Sequence, residues 1–347
     1  MNKRNGAIAA VIIVVVASIA LVYFSTGKST DVSASNTVRI GYFPNLSHAQ
    51  ALVGVANGTF EQTLGDTVSV QYKTFNAGPS AIEALFTNQI DIAYVGPSPA
   101  INGYMRSDEG LKIIAGSTSG GVVFVVRSDA NIESHSDFAG KKFASPQYGN
   151  TQDVSLKSYI MNNGHRLAQY GGDVHVLSAK NSDIMTLFLK KELDGAWVAE
   201  PWGTLLVKNA NGKIFLDERD LWKDGEFATV LIIVNAKFLQ SHQDLVKKVL
   251  KAHVETTLWI NEHPEQAEEI VNKQIEKILR KPLPPDVLHE SFSRIKFTYD
   301  PMEESVRKFA EEAYELRLIE EKPDLSGIYY TELLNEVLTE KELSLVQ

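Results

Sequence analysis

The 347-residue chain has no cysteine. That excludes disulfides, thiolate metal sites, cysteine nucleophiles and lipid attachment through an N-terminal cysteine. There is no G-x-x-x-x-G-K-[ST] loop, so nucleoside triphosphate binding by that route is out. No G-x-S-x-G elbow and no HExxH pair occurs either. The eight histidines are scattered, His48, His135, His165, His175 and His242 among them, without metal-ligand spacing. An excess of positive charge is also missing. With 34 Lys and Arg against 43 Asp and Glu the net charge is −9, which excludes a general nucleic-acid binder. A small anion remains a candidate ligand, because a few oriented N–H groups hold an anion inside an acidic protein.

One long apolar run is present, Ala7 to Phe24, preceded by Lys3 and Arg4. It exceeds the roughly 7–15 residues of a signal-peptide core and reaches the roughly 17–25 that span a bilayer. Residues 1–6 then read as a cytoplasmic N-terminus and 7–24 as a signal peptide or transmembrane anchor. Cleavage near Ser33–Ala34–Ser35 is the other outcome. Both place the remaining chain on the extracytoplasmic face, because the positive charges stay inside. Residues 25–36, rich in Ser and Thr, read as a flexible tether.

From Val38 the pattern alternates. Strands are expected at Val38–Tyr42, Val68–Tyr72, Ile90–Val95 and Ile113–Ala115, with helices at Ser47–Ala56, after Gly78–Pro79 and after Gly96–Pro97. Such alternation predicts a mainly parallel sheet covered by helices. A second α/β unit follows, with strands at Lys142–Ala144, Val174–Leu177 and Ala196–Val198. The apolar runs Val122–Val126 and Thr229–Val234 bracket it. They read as the two crossings of a hinged pair of lobes, lobe I 37–121 and 235–347 and lobe II 122–234, although two independent α/β domains in series would give a similar pattern. From Lys237 the chain becomes helical and charged. An α/β, two-lobed fold is therefore expected.

Four times an expected strand ends in small polar residues and Gly or Pro at a helix start: Pro44–His48, Asn76–Ser80, Gly96–Ser98 and Gly149–Asp153. Gly116–Gly121 reads as a glycine-rich turn closing the first lobe. In an open parallel sheet the strand C-terminal ends share one rim, where ligands bind. Helix N-termini there offer free N–H groups and a positive dipole end, and Ser and Thr hydroxyls add neutral donors. The candidate ligand residues are Asn45, Ser47, His48, Gly78, Pro79, Ser80, Gly96, Ser98, Ser119, Asn150, Thr151, Glu200 and Trp202. Trp202 would wall an apolar part of the ligand and Glu200 would hold a donor or an ammonium. Tyr42 and Phe43 would line the cleft floor. No catalytic residue, metal site or cofactor is indicated.

The segments Ile40–Tyr42, Ala77–Leu85, Asp91–Ala100, Phe138–Lys142 and Asp194–Pro201 resemble, in order, the solute-binding proteins of ABC importers for nitrate, taurine and aliphatic sulfonates. The resemblance implies a type II periplasmic-binding-protein fold and a ligand in the interlobe cleft. It implies a small oxyanion, first an aliphatic sulfonate, then taurine or nitrate, delivered by a monomer to permease subunits with a cytoplasmic ATPase. The family also includes relatives that bind or make the thiamine pyrimidine. The synthases among them use cysteine-rich motifs, which this chain lacks.

Overall fold

The computed structural model describes residues 36–107 and 109–346. The apolar run Ala7–Phe24 and nearly all of the tether lie outside the described residues. Among the described residues no helix is long and apolar enough to cross a membrane.

In chain order the first lobe begins β1 (Thr37–Tyr42), α1 (Ala49–Asn57), α2 (Thr59–Leu64), β2 (Ser69–Thr74), α3 (Gly78–Phe86), β3 (Ile92–Val95), α4 (Pro97–Arg106) and β4 (Leu111–Gly120). The second lobe holds β5 (Val122–Arg127), β6 (Lys142–Pro146), α5 (Thr151–Asn162), β7 (His175–Ala179), α6 (Asn181–Leu189), β8 (Gly195–Ala199), α7 (Trp202–Asn209) and β9 (Gly212–Asp217). The chain returns through β10 (Ala228–Asn235), α8 (Ala236–Ser241), α9 (Gln243–Glu262), α10 (Pro264–Leu279), α11 (Pro285–Phe292), β11 (Ile295–Phe297), α12 (Glu303–Glu315) and α13 (Glu332–Glu340).

The strands form two sheets, ordered β11-β4-β10-β3-β1-β2 and β7-β6-β8-β5-β9. The α/β, two-lobed expectation holds. The placement of the return strand differs. Thr229–Val234 lies in β10, inside the first sheet, antiparallel to both β3 and β4. All eight residues of β10 are buried, which suits its near-continuous apolar run. The chain therefore leaves the second sheet after Asp217, upstream of the expected boundary, and residues 228–234 belong with lobe I. The first sheet is consequently mixed. β1 and β3 are parallel, while β10 and β11 run against β4.

Residues Gly116–Ser119 are not a turn. They continue β4, opposite Leu231, Val230 and Ala228 of β10 and Phe297 and Lys296 of β11. Only Gly120 and Gly121 turn, both at positive φ (73° and 69°), a backbone state that glycine adopts without strain. They lead directly from one sheet to the other.

Alternation along β3 divides the first sheet's packing. Ile92 and Tyr94 join one apolar cluster with residues of α1, α2, α9, α10 and α13. Ala93 and Val95 join the opposite cluster with residues of α3, α4 and α12. That second cluster runs on into the second lobe through Phe124, Phe138, Phe143 and Trp197. Helix α12 bridges the lobes, touching α4 of the first and α5 of the second. Just past it, Leu316 O accepts a 2.7 Å hydrogen bond from Tyr170 Oη of the second lobe.

Candidate functional site

The turn after β1 and the turn after β3 lie at the same edge of the first sheet, because the two strands are parallel neighbours. Asn45 N-caps the short turn Leu46–His48 that enters α1. Interactions with β4 pin this turn. Thr118 Oγ1 donates to Ser47 O (3.1 Å), and Ser117 Oγ donates to Gln50 Oε1 (3.1 Å). Gly96 N-caps α4, with Pro97 in its first turn, where a missing N–H costs nothing.

From the second lobe, α5 starts at Thr151 with Asn150 as its N-cap residue. The two lobes meet here. Ser98 N donates to Thr151 Oγ1 at 3.4 Å. A Cβ on Gly96 would stand 2.5 Å from the same oxygen, so only glycine permits this approach. Gly78, at the start of α3, lies against Pro99 and 3.4 Å from Asn150 Oδ1, measured from an ideal Cβ. A cavity of about 490 Å³ opens beside this contact, between Pro79 and Pro99 on one side and Tyr148 and Gly149 on the other.

Three polar atoms on the turns after β1 and β3 are buried without a hydrogen-bond partner: Asn45 Oδ1, Ser47 Oγ and Ser98 Oγ. Ser47 is 2% and Ser98 3% exposed. A buried hydroxyl left unpaired costs about 1–3 kcal/mol, so two on neighbouring turns point to a ligand that pairs them.

His48 brings no positive charge. Burial pushes its pKa down to about 3, and its Nδ1 accepts from Phe43 N–H (3.3 Å) while the ring stacks on Phe43. Tyr94 behind it is held by His253. His253 Nε2 lies 2.9 Å from Gly116 O and must donate to it, so Nδ1 accepts from Tyr94 Oη at 3.1 Å. Burial pushes the His253 pKa down to about 4, consistent with that neutral tautomer. The available donors are therefore neutral hydroxyls and helix-start N–H groups.

Other candidates stand elsewhere. Pro79 is exposed at the cavity mouth and Ser80 is exposed to solvent. Ser119 Oγ accepts from Phe227 N (3.0 Å), at the second chain crossing. Trp202 packs on the apolar cluster of Val123, Val125 and Ile184 in the second lobe. Tyr42 is part of the first-lobe core, and Phe43 is buried against His48.

Glu200 is fully buried and its carboxylate is already occupied. It accepts from Thr204 N (3.0 Å), Thr204 Oγ1 (3.0 Å), Ser291 Oγ (3.1 Å) and Arg294 Nη1 (3.1 Å). Its own N–H donates to Gly121 O at 2.8 Å. Glu200 thus braces the first crossing and has no free oxygen to offer an ammonium. Burial raises its pKa against the lowering effect of these donors.

Gln50 helps hold the site in shape although it belongs to no motif, and its partner Ser117 is distant in sequence. Thr118 and Asp153 lie within the segments Gly116–Gly121 and Gly149–Asp153, but spacing does not show their bonds to Ser47 O, Ser145 and Ser178. Among the described residues no group of three or more His, Cys, Asp or Glu is placed to hold a metal ion.

Two α/β sheets joined by two crossings, with helix starts from both meeting at unpaired hydroxyls, define a two-lobed periplasmic-binding-protein fold. Residues 31–274 match the NMT1-like family, and the chain belongs to it. A Bacillus subtilis (strain 168) protein named for aliphatic sulfonates binding is 23% identical over 328 residues, covering 91% of this chain and 92% of that protein. The taurine-binding periplasmic protein of Escherichia coli (strain K12) is 25% identical over 206 residues, covering 59% and 61%. The fold is shared with the alkanesulfonate-binding protein SsuA of Xanthomonas axonopodis pv. citri bound to MOPS (TM-score 0.72, 16% identity, 85% of this chain and 98% of that one). It is also shared with the zinc-bound ligand-binding component of an ABC-type import system from Staphylococcus aureus (TM-score 0.71, 16% identity, 87% and 99%).

Proposed function

We propose that this chain is the extracytoplasmic solute-binding component of an ABC importer and that it captures a small oxyanion, an aliphatic sulfonate first, between its lobes. The observation that carries this reading is the pair of buried, unpartnered hydroxyls on the turns after β1 and β3, Ser47 Oγ and Ser98 Oγ, the latter on the residue whose N–H reaches Thr151 of the other lobe. Three hydroxyls and the starts of α4 and α5 give hydrogen bonds and positive dipole ends without a formal charge. A sulfonate is fully ionised and offers three acceptor oxygens, which match such donors. Asn45 Oδ1 is a buried acceptor, and the ammonium of an amino-sulfonate such as taurine would satisfy it. Glu200 has no part in this contact. The ligand bridges the lobes and favours the closed state, which docks to the permease. The reading involves no reaction at the site.

Calorimetry and thermal shift with methanesulfonate, taurine, nitrate and sulfate test the proposal. A true ligand raises stability with the logarithm of its concentration. No heat and no shift with any of the four would remove this ligand class.

A further inference from the structure

Among the described residues, Lys157 is the one lysine or arginine that is buried, at 1% exposure. It sits nearly two turns inside α5, the helix that begins at Thr151. Its ammonium pairs with Asp153 Oδ2 at 2.6 Å and lies 4.5 Å from the centre of the Tyr148 ring. Asp153 is fully buried and gathers three further donors: Ser145 Oγ (2.7 Å), Ser178 Oγ (3.0 Å) and Gly149 N (3.0 Å). These come from β6, β7 and the loop that carries Asn150. Asp153 therefore fixes the second-lobe half of the site.

That carboxylate also creates a conflict. It sits two residues into the helix whose positive end is offered to the ligand, within one turn of Thr151. Unbalanced, it would repel an arriving anion through a medium that screens poorly. Burying an unpaired charge is costly as well, so a partner for Asp153 is needed on both counts.

We infer that Lys157 is a positioning residue of the anion site: its ammonium cancels the charge of Asp153, so that the loop keeps its shape and the start of α5 accepts an anion. Lys157 touches no ligand and works through Asp153. The inference rests on the reading that an anion binds at Thr151.

The test titrates methanesulfonate into the full chain by calorimetry, with thermal unfolding of each variant measured alongside. Lys157→Met leaves the Asp153 charge uncancelled and weakens binding by about tenfold or more. Adding Asp153→Asn to it restores charge balance, and the double variant recovers affinity to within about threefold of the parent. A purely structural pair would be rescued as well, so Asp153→Asn alone decides: it keeps the Lys157 charge and binds the anion at least as tightly as the parent, whereas a structural pair predicts weaker binding, which overturns the inference. Lys157→Met binding as the parent does, or a double variant no better than Lys157→Met, overturns the inference. Should Lys157→Met fail to fold, Asp153→Asn is compared with the double variant: tighter binding by Asp153→Asn supports the inference, and equal or weaker binding overturns it. If the parent binds none of methanesulfonate, taurine, nitrate and sulfate, the anion reading fails and the inference with it. If the parent binds and the order fails, only the inference falls.

Discussion

The backbone N–H of Ser98 reaches the hydroxyl of Thr151 across 3.4 Å, and this bond joins the two lobes while the Ser98 hydroxyl itself has no partner. The same residue thus makes a lobe contact with its backbone and keeps its side chain uncommitted.

Ser98→Ala separates the two roles. Removing an unpaired buried hydroxyl leaves the free protein as stable as before or more stable by up to about 1 kcal/mol. Ligand affinity falls by roughly 1–2 kcal/mol, or about five- to thirtyfold. Urea unfolding and sulfonate calorimetry on the same preparation check this. Parallel losses in both would make Ser98 merely structural.

Glu200→Ala has the opposite signature. Arg294, its side chain 14% exposed, would lose its fully buried partner but keep Glu290 at 2.8 Å. Thr204 and Ser291 would lose their acceptor, and each buried donor left unpaired costs about 1–3 kcal/mol. Denaturant unfolding should show a loss of that order, whereas sulfonate affinity of the folded protein should stay within about threefold of the parent. A selective loss of affinity would return Glu200 to the ligand.

Between α12 and α5 lies a cavity of about 440 Å³ where Glu218, beside the second lobe, and Glu312, on α12, both line the wall. Burial pushes each carboxyl up to about 7. Glu218 accepts from Trp197 Nε1 (2.6 Å) and Ser155 Oγ (2.8 Å), which only partly offsets its burial. Glu312 is lifted further by Glu218, Glu315 and Glu311 and lowered by Lys308. In the unfolded chain these carboxyls titrate near 4.5. Between about 4.5 and about 7 the folded state therefore holds more protons, and stability from these groups falls as pH rises through that window. Thermal melts of Glu312→Gln against the parent at several pH values isolate this part. The variant should gain relative stability as pH rises from 5 to about 7.5. A constant difference across pH would show that Glu312 does not titrate there.

Gly120→Ala tests the first crossing. Its φ of 73° is a left-handed state that costs a residue with a side chain about 1–2 kcal/mol. The new Cβ would also stand 2.6 Å from Arg294 O, a backbone atom with little room to move. A loss above about 2 kcal/mol in denaturant unfolding is expected. An unchanged midpoint would mean that the crossing readily takes another path.

Much of this fold was legible because its punctuation is local. Pro79 and Pro97 announce α3 and α4, and the β-branched runs announce β5 and β10. What such a run does not carry is which sheet receives it, so by sequence alone β10 reads as a crossing. The Ser- and Gly-rich half of β4 looks like a turn by composition. It is a strand because β10 and Ile295–Phe297, the latter too short to announce itself, pair with it. Ser47, Ser98 and Thr151 were found as helix starts at strand ends. Their unpaired state, and the exposure of Ser80, depend on packing that no spacing records. Glu200 was placed correctly after β8, but Ser291 and Arg294 arrive from about ninety residues downstream and take up the carboxylate.

The late arrival of β10 has a consequence for synthesis. Strands β3 and β4 are complete once Gly120 has been made, yet the strand that lies between them begins only at Ala228. At roughly 5–20 residues per second, that gap lasts on the order of 5–20 s. Through that interval one edge of β3 and both edges of β4, whose other neighbour β11 begins only at Ile295, lie bare, a hazard for pairing with other chains. The second sheet has all its strands by Asp217 and can assemble while the first still waits. The half of the protein that starts first on the ribosome is therefore the half that finishes last.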